Sequence, residues 1–513
     1  MKEAPMANDA ALTNLRTISN TDGASVGGSG TQEENGAKTH ILAVPFQAEG
    51  HIKSMLQCAI SLASMGVAVT FIYPARFHSL ARKRSLLPSP EHPSMKAYSS
   101  LRFEVADDGL PLEEEQSLTA ELLHMSIPIF QKSVSLILDR LLFEEGHALS
   151  ATLPPISCIL SDAVVSWTRQ LADTASLPVV PLWTSTATSY SMSAHSPLLI
   201  FYEHLPVKEE LWLEGKKWML EAPLVECIPG LSPFPVTDLP TEFCKAETLS
   251  DPSLEFLAAA CENGKEAPCI LVNSVYELEC QVFDALRSEG YAVEAVGPFL
   301  RHRISQNSDH ESLQWLNKQP VSSVIYIALG TVCHLSTSEM HALALGLEAC
   351  GHRFLWVIRQ DEASAANSEL LPDGFYARTV AGGRGCIMTW VPQEEVLHHT
   401  SVGAFFSHCG WNSILESIWE GIPIVACPIA MEQRSNAKYI VEHWKIGVEL
   451  KRHLDGSFSK EAVEEALLQV MVSESYRKEA GRIKCIIRHA IQEGGSSHSN
   501  LIRFQKLLHS FRL

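Results

Sequence analysis

The sequence predicts an α/β protein with two doubly wound domains that face each other across a cleft. In both halves of the chain, short apolar runs of strand length alternate with stretches whose apolar residues recur at helical spacing. This alternation is typical of parallel sheets that carry helices on both faces. The length of 513 residues points the same way, because it exceeds what a single hydrophobic core supports.

These patterns divide the chain into five predicted segments. Residues 1–37 are rich in small and polar residues without periodicity, which is typical of a disordered extension. We expect an N-terminal domain at residues 38–298 and a C-terminal domain at residues 321–490, joined by a polar linker at residues 299–320. Residues 491–513 are predicted to form a helix that packs back on the N-terminal domain.

The composition excludes several classes of protein. The net charge of −19 argues against a nucleic-acid partner, which would require a basic surface. The 13 cysteines are scattered, odd in number and without a C-x-x-C pair, so neither a disulfide framework nor a zinc site is predicted. Reduced thiols of this kind are typical of a cytoplasmic protein. The longest uncharged run, residues 174–202, is rich in Ser, Thr and Pro, and we interpret it as a strand and a loop rather than a membrane span.

Two predicted strands of the N-terminal half are followed by residues that suit acid–base chemistry. His51 lies where a helix begins after the strand His40–Phe46, and Asp162 follows the strand Ile156–Leu160. The carboxyl ends of parallel strands meet at one edge, where a carboxylate can orient a histidine base. Each residue also has a simpler interpretation, because His51 can be a polar helix cap and Asp162 can cap a helix at residues 164–172.

Three hydroxyl residues follow the next predicted strand, Val179–Trp183. Thr184, Ser185 and Thr186 can bind a polar ligand at this edge of the sheet or simply close a turn. The Pro-rich stretch at residues 227–240 is predicted to be a long loop that crosses the surface near the cleft.

The C-terminal half contains a predicted anion site. The apolar run Val402–Phe406 predicts a buried strand, the following residues up to Gly410 a tight turn, and Asn412 and Ser413 the start of a helix. Backbone N–H groups and the positive end of a helix dipole then point at whatever lies above the turn. Since His408, Asn412 and Ser413 add side-chain donors, this segment predicts a phosphate or diphosphate site.

Several motifs in this half occur in a fixed order: W-V-P-Q at residues 390–393, H-C-G-W-N-S at residues 408–413, then E-S, G-I-P and E-Q, the last ending at Gln433. With them the chain resembles the plant family 1 UDP-glycosyltransferases, and the stretch is similar to their secondary product glycosyltransferase box. The resemblance begins at about residue 39 and includes PFQAEGH, SVIYIALGT and RFLWVIR.

The resemblance implies a GT-B fold of two Rossmann-like domains and a site for a UDP-sugar, which we expect to be UDP-glucose. It assigns the uracil to Trp390 and Val391, the nucleoside to Gln393, the ribose to Glu416, the diphosphate to Thr331, His408, Asn412 and Ser413, and the sugar to Thr184, Trp411, Glu432 and Gln433.

The resemblance also implies that His51 is the general base and Asp162 its partner. Direct attack at the anomeric carbon then inverts it. We expect no cofactor beyond the UDP-glucose co-substrate, and no metal, because no Asp-x-Asp pair lies by the phosphate turn. The acceptor is expected to be small and lipophilic, and loops around residues 83–100, 118–132 and 184–205 are expected to bind it. We expect the protein to be cytoplasmic, monomeric and without a membrane span.

The sequence departs from the family pattern at a few positions. The Asn-Pro pair common after the catalytic histidine is Lys53-Ser54 here, and we expect Lys53 to lower the pKa of His51 if it points inward. Ala328 stands in place of a serine, and Glu432 in place of an aspartate, which bears on the choice of sugar. Gln433 favours glucose by family analogy alone.

Two other functions are compatible with the same fold. A nucleotide-sugar-binding protein without activity would keep the donor residues but needs neither His51 nor Asp162. A UDP-sugar epimerase would act without any acceptor. The sequence does not name the acceptor, because loops of the N-terminal domain would bind it.

Overall fold

The computed structural model describes residues 39–83, 100–112, 120–143, 153–207, 222–262, 264–300, 309–330, 334–358, 370–453 and 455–511. The predicted disordered extension at residues 1–37 lies outside these stretches, and so does Thr331.

The described N-terminal half is built on a parallel sheet. Its strands are β1 (His40–Val44), β2 (Ala68–Pro74), β3 (Leu101–Ala106), β4 (Ile156–Asp162), β5 (Val179–Trp183), β6 (Leu224–Val225), β7 (Phe234–Pro235), β8 (Ile270–Val272) and β9 (Val293–Ala295). Seven of these strands pair in parallel in the order β3-β2-β1-β4-β5-β8-β9. The other two, β6 and β7, pair with each other in antiparallel fashion; β7 lies in the predicted Pro-rich loop and β6 just before it.

Helices cover both faces of this sheet. They are α1 (Glu49–Ser64), α2 (Ala75–Lys83), α3 (Ala120–Phe143), α4 (Thr168–Ala175), α5 (Ala187–Ala194), α6 (Ser196–Phe201), α7 (Thr241–Lys245), α8 (Pro252–Cys261) and α9 (Tyr276–Ser288). Short 3-10 turns lie at Val236–Asp238 and Gly264–Glu266.

The C-terminal half repeats the plan with a six-stranded parallel sheet in the order β12-β11-β10-β13-β14-β15. Its strands are β10 (Val324–Ala328), β11 (Arg353–Val357), β12 (Gly385–Met388), β13 (Val402–Ser407), β14 (Ile424–Ala426) and β15 (Gly447–Glu449). Its helices are α10 (Glu311–Leu316), α11 (Thr337–Cys350), α12 (Phe375–Thr379), α13 (Gln393–His398), α14 (Trp411–Glu420), α15 (Gln433–Lys438), followed by a π turn at Tyr439–His443, and then α16 (Lys460–Val472), α17 (Glu474–Ala490) and α18 (Ser496–Ser510).

The strand order indicates where each sheet is expected to bind a ligand. Every residue of β1, β4, β10 and β13 is buried, as expected for central strands of a parallel sheet covered on both faces. The order reverses between β1 and β4 in one sheet and between β10 and β13 in the other. Doubly wound proteins bind ligands at such reversal points, outside the carboxyl ends of the strands.

The uncharged run at residues 174–202 is not a strand followed by a loop, as predicted, because α5 and α6 follow β5. Residues 187–193 of α5 are all buried, so no side of this helix is exposed to solvent along its length. Without one exposed and one buried face there is no alternation of polar and apolar residues at helical spacing in the sequence.

The predicted linker is not irregular throughout, because it contains α10. Leu313 and Leu316 of this short helix are buried in a core cluster with Val324 and Phe405 of the C-terminal sheet. The second part of the linker therefore packs on the C-terminal domain.

The chain ends on the N-terminal domain. Phe504 and Leu508 of α18 are 1% and 0% exposed and pack in a core cluster with Ile41 of β1 and Leu62 of α1. Among the helices that the structure describes, none has both the length and the apolar character needed to cross a membrane.

Candidate active site

His51 and Asp162 lie together at the reversal point of the N-terminal sheet. His51 is in the first turn of α1, which follows β1, and Asp162 is the last residue of β4, the neighbour of β1. The Nδ1 atom of His51 lies 2.8 Å from Oδ2 of Asp162. Asp162 is 1% exposed and the His51 side chain 32%, so a buried carboxylate holds an imidazole that still faces the cleft.

The charge balance around His51 favours the protonated ring. Burial lowers its pKa, but the charge and hydrogen bond of Asp162, with a smaller contribution from the charge of Glu432, raise the pKa above the ordinary value of 6.5. The carboxylate at Nδ1 selects the tautomer with its proton on that atom, so Nε2 carries the lone pair. Such a ring accepts a proton through Nε2 and keeps the resulting charge beside Asp162.

Asp162 is not the cap of the next helix, because α4 begins only at Thr168. Its second oxygen, Oδ1, instead accepts from the backbone N–H of Val164 at 3.3 Å. This bond fixes the carboxylate while Oδ2 faces His51.

The three hydroxyl residues after β5 have separate contacts. Thr184 Oγ1 lies 3.0 Å from His51 Nδ1. Ser185 donates to Glu432 Oε1 at 2.9 Å, which crosses to the C-terminal half. Thr186 accepts from the backbone N–H of Ser189 and caps α5.

The predicted anion site forms the turn between β13 and α14. Cys409 has a left-handed φ of 67°, a conformation that a non-glycine residue adopts at an energetic cost and that is common at functional sites. Gly410 is the N-cap of α14 and has no side chain to bond the N–H groups of the first helical turn. The N-cap residue therefore leaves those N–H groups and the helix dipole available, which is what the predicted anion site requires.

His408 lies in this turn between two glycines. A Cβ atom at Gly330 would come within 2.6 Å of its Nε2 atom, and a Cβ at Gly410 would collide with the same atom. Burial lowers the pKa of His408 to about 4, so the ring is neutral near pH 7. Its Nδ1 atom is buried without a hydrogen bond of normal geometry to the described residues, and a backbone hydrogen bond with Ala328 only partly opposes the fall of the pKa.

A hydrogen-bond network prepares the predicted ribose site. Gln393 Nε2 donates to Ser413 Oγ at 3.1 Å and to Glu416 Oε2 at 2.8 Å. The hydroxyl of Tyr326 donates to Gln393 Oε1 at 2.9 Å and so fixes the amide orientation. Glu416 is 4% exposed, and a carboxylate held in this way accepts hydroxyl groups well.

Trp390 and Val391 lie beside this network. The ring of Trp390 is half-buried and meets His310 edge to face, with ring centroids 5.5 Å apart. His310 also caps α10 by accepting from Ser312, so this helix orients the aromatic ring. Val391 is 5% exposed and belongs to the core cluster that contains Val324 and Phe405 of the C-terminal sheet.

Two predicted sugar residues lie after β14. Glu432 accepts from Ser185 across the cleft, as described above. Gln433 is 4% exposed, and its Oε1 accepts from the backbone N–H groups of Ile429 and Ala430 at 2.8 and 2.9 Å. Gln433 thus shapes the loop that presents Glu432.

Two predicted donor ligands are placed differently from the expectation. Trp411 is 3% exposed and its Nε1 donates to the carbonyl of Asn273 at 2.7 Å, so its indole N–H is not available to a sugar. The side chain of Asn412 donates to the carbonyl of Gly50 and accepts from Ser54, both at 2.9 Å, so its amide joins the two halves rather than facing the diphosphate. Motif spacing predicts position along a helix but not which partner lies across the cleft.

Lys53 is also placed differently. Its Nζ lies 2.5 Å from Glu394 Oε1 and 2.5 Å from Glu416 Oε1 in the C-terminal half. The condition on which we expected Lys53 to lower the pKa of His51 is not met, because its ammonium group contacts Glu394 and Glu416, and Lys53 is not among the causes that shift this pKa. Glu394 and His310 were not identified from the sequence, because each acts through a contact with a distant segment. Ser185 was one of the three hydroxyl candidates, but its contact with Glu432 was not predicted.

The described residues contain no group of three or more His, Cys, Asp and Glu side chains placed to hold a metal ion. The described cysteines are all free thiols.

Comparison with known proteins identifies the family. Residues 302–490 match the protein family described as UDP-glucoronosyl and UDP-glucosyl transferase. UDP-glycosyltransferase 85A1 of Arabidopsis thaliana is 30% identical to the chain, over 93% of this chain and 97% of its own length. The chain belongs to the plant UDP-glycosyltransferase family. The resemblance found in the sequence is therefore confirmed.

Other members of this UDP-glycosyltransferase family agree in sequence and in structure. The 7-deoxyloganetin glucosyltransferase of Gardenia jasminoides is 30% identical over 92% of this chain and 98% of its own. The crystal structure of Os79 from O. sativa in complex with U2F and trichothecene is similar with a TM-score of 0.71 at 26% identity, and the match covers 91% of this chain and 100% of Os79. The GT-B prediction is confirmed, and the chain is a glycosyltransferase by its family.

Proposed function

We propose that this UDP-glycosyltransferase transfers glucose from UDP-glucose to a hydroxyl group of a small lipophilic acceptor, with inversion at the anomeric carbon and without a divalent ion. The observation that carries the proposal is the distance of 2.8 Å between Nδ1 of His51 and Oδ2 of Asp162. His51 lies on α1, the helix that contacts the donor half of the molecule. A hydroxyl group is a poor nucleophile near neutral pH and needs such a base.

In the proposed reaction, Nε2 of His51 removes the proton of the acceptor hydroxyl while the oxygen attacks the anomeric carbon. The bond between that carbon and the diphosphate oxygen breaks, and UDP leaves from the opposite side. Asp162 stabilises the imidazolium that forms on His51. The proton then leaves His51 for solvent, which restores the neutral base.

The leaving UDP acquires negative charge, which the C-terminal half is suited to receive. The first turn of α14 offers backbone N–H groups and the positive end of its dipole. The neutral ring of His408 lies in the same turn and would add a hydrogen bond to the diphosphate. We propose that these groups stabilise the diphosphate, while Glu416 and Gln393 hold the ribose and Trp390 the uracil.

Glucose as the sugar and a small lipophilic molecule as the acceptor are supported by relatives. The Gardenia relative is named a 7-deoxyloganetin glucosyltransferase, and Os79 was crystallised with a trichothecene. In this chain, Glu432 and the loop ordered by Gln433 would contact the sugar hydroxyls.

The base is tested by the variant His51→Ala, with His509→Ala as the control at an exposed position on α18. Transfer from UDP-glucose to a panel of phenolic and terpenoid alcohols is followed by mass spectrometry, with and without EDTA, and UDP binding by calorimetry. We expect His51→Ala to lose transfer by about 100-fold or more while UDP binding stays within about twofold. Full transfer by this variant would contradict the assignment, and loss of wild-type transfer in EDTA would contradict metal independence.

A further inference from the structure

Lys53 joins the helix of the proposed base to the predicted ribose site. It lies two residues after His51 on α1, and its Nζ is 2.5 Å from one oxygen each of Glu394 and Glu416. The Lys53 side chain is 31% exposed, whereas Glu394 is 17% exposed and Glu416 only 4%. The ammonium group thus covers two carboxylates that are mostly shielded from water.

The surrounding contacts show that this is a docked surface and not an isolated ion pair. Ser54, the next residue on α1, donates to Asn412 Oδ1 at 2.9 Å, and Asn412 Nδ2 donates to the carbonyl of Gly50 at 2.9 Å. Asn412 and Glu416 are four residues apart on α14 and therefore lie on the same face of that helix. The first turns of α1 lie against the first turns of α14.

Glu416 needs a nearby cation to remain ionised. Its pKa is raised, because burial and the charge of Glu394 outweigh the opposite effects of Lys53 and of the hydrogen bond from Gln393. The hydroxyl of Tyr326 is a further titratable group that interacts with it, and burial keeps this phenol protonated. A protonated Glu416 would lose the acceptor capacity that ribose hydroxyls require.

A UDP-sugar adds further negative charge to this region. His408 does not offset it, because its pKa of about 4 leaves the ring neutral. Lys53 brings a full positive charge to the same surface, and it comes from the opposite domain.

We propose that Lys53 is a positioning residue for the donor: by docking on Glu394 and Glu416 it keeps Glu416 ionised for the ribose hydroxyls, and so makes ribose recognition depend on contact between α1 and α14. This inference rests on the proposed function, because it assumes that Glu416 receives the ribose. It gives α1, the helix that carries the proposed base, a second role in binding the donor. The motif that contains Glu416 does not indicate this role.

The test measures binding of UDP and 2′-deoxy-UDP by calorimetry between pH 6 and pH 9. The variants are Lys53→Gln, Lys53→Arg, Glu394→Gln and the double variant Lys53→Gln/Glu394→Gln. Lys451→Gln is the matched control, because it removes the same charge from an exposed ion pair with Glu465.

We expect Lys53→Gln to weaken UDP binding by about tenfold or more at pH 7, since it leaves a buried carboxylate without its cation. The loss should grow as the pH falls, because Glu416 with a raised pKa then becomes protonated and stops accepting from the ribose. Discrimination between UDP and 2′-deoxy-UDP should shrink in parallel. Lys53→Arg and Lys451→Gln should behave like the wild type.

The variants at Glu394 provide the sharper test. Removing this charge lowers the pKa of Glu416, so Glu394→Gln should bind UDP at least as well as the wild type, and the double variant should recover part of the affinity lost in Lys53→Gln. This rescue would not occur if Lys53 only stabilised the fold. If Lys53→Gln does not fold, Lys53→Arg and Glu394→Gln still decide, because weaker binding by Glu394→Gln contradicts the proposal.

The outcomes separate this inference from the proposed function. If the wild type binds UDP and transfers glucose while Lys53→Gln has an unchanged affinity and pH profile, the inference alone is overturned. If the wild type binds no UDP, the proposed function fails and the inference fails with it.

Discussion

Asp162 uses its two carboxylate oxygens differently. Oδ1 accepts from the backbone of Val164 at 3.3 Å and Oδ2 faces His51 Nδ1 at 2.8 Å. A carboxylate fixed at one oxygen holds the imidazole in one orientation and one tautomer. The raised pKa of His51 is the electrostatic consequence, since Asp162 and Glu432 together outweigh the effect of burial.

Asp162→Asn should therefore change the pH dependence of transfer. His51 acts as a base only when neutral, so kcat/KM rises with pH through its pKa. Removing the charge of Asp162 lowers that pKa, and we expect the acid limb of the profile to move to lower pH. The maximal rate should fall by about 100-fold or more, because the imidazolium loses its partner. The profile is measured from pH 5 to pH 9 at fixed ionic strength.

Asp173→Asn is the control for this variant, because it neutralises a carboxylate that is 70% exposed. Its profile should match that of the wild type. An acid limb that stays in place or moves to higher pH in Asp162→Asn would show that Asp162 does not set the pKa of His51.

Single residues were predictable from the sequence where a motif fixes local geometry. His408 and Glu416 belong to one strand, turn and helix, and the structure has this local geometry, with His408 in the turn after β13 and Glu416 on α14. The partners of Asn412 and Lys53 were not predictable, because these contacts join residues 362 and 363 positions apart in sequence. Hydrophobic periodicity and turn chemistry contain no information about such pairs.

At the scale of an element, the turn from β13 into α14 works because two glycines leave room for an imidazole. The ring of His408 packs where Cβ atoms at Gly330 and Gly410 would lie. Gly410 has an ordinary φ of −62°, so an alanine there changes the space and not the backbone preference. An alanine at Gly410 therefore tests the effect of displacing the His408 ring separately from any backbone strain.

Gly410→Ala should displace His408 and weaken UDP binding without unfolding the protein. We expect a loss of roughly tenfold or more, the value of one hydrogen bond to a charged group. Gly481→Ala is the matched control, because Gly481 lies inside α17 and a Cβ there meets no atom within 4 Å. That control should raise the melting temperature slightly, since alanine favours a helix interior over glycine. Equal UDP affinity in both variants would refute the role of the packed ring.

The sequence predicted two kinds of element well: those with one buried and one exposed face, and strands that are apolar throughout. β1 and β13 are continuous apolar runs, and the sequence placed both within two residues of their observed ends. α5 was missed because its small hydroxyl residues are buried all round. α10 was missed because a helix of this length shows less than two turns of periodicity.

At the scale of the whole molecule, the two halves are joined by hydrogen bonds from several segments. Trp411 donates to the carbonyl of Asn273, Ser185 donates to Glu432, and Arg434 donates to the carbonyl of Thr237 at 2.9 Å. These bonds connect strand ends and helix starts on both sides of the cleft. The proposed base and the proposed donor site are therefore aligned by many weak contacts, to which Lys53 adds charge.

The last helix ties the C-terminal half back to the N-terminal sheet. Asn500 donates to the carbonyl of Ala295 at 2.8 Å and Gln505 to the carbonyl of Met65 at 2.7 Å. Between them, Phe504 fills the apolar core below β1 and α1. The core of the N-terminal domain thus includes side chains of α18, which follows the C-terminal domain in sequence.

Phe504→Ala should therefore destabilise the N-terminal domain selectively. Replacing a buried Phe by Ala costs about 3–5 kcal/mol, because apolar contacts are lost and a cavity remains. In hydrogen exchange followed by mass spectrometry, peptides from β1 and β2 should exchange faster, while peptides from β10 and β13 should keep their wild-type rates. Lys506→Ala, at an exposed position on the same helix, should leave both sheets unchanged. Equal acceleration in both sheets would mean that α18 stabilises the molecule as one unit and not the N-terminal domain in particular.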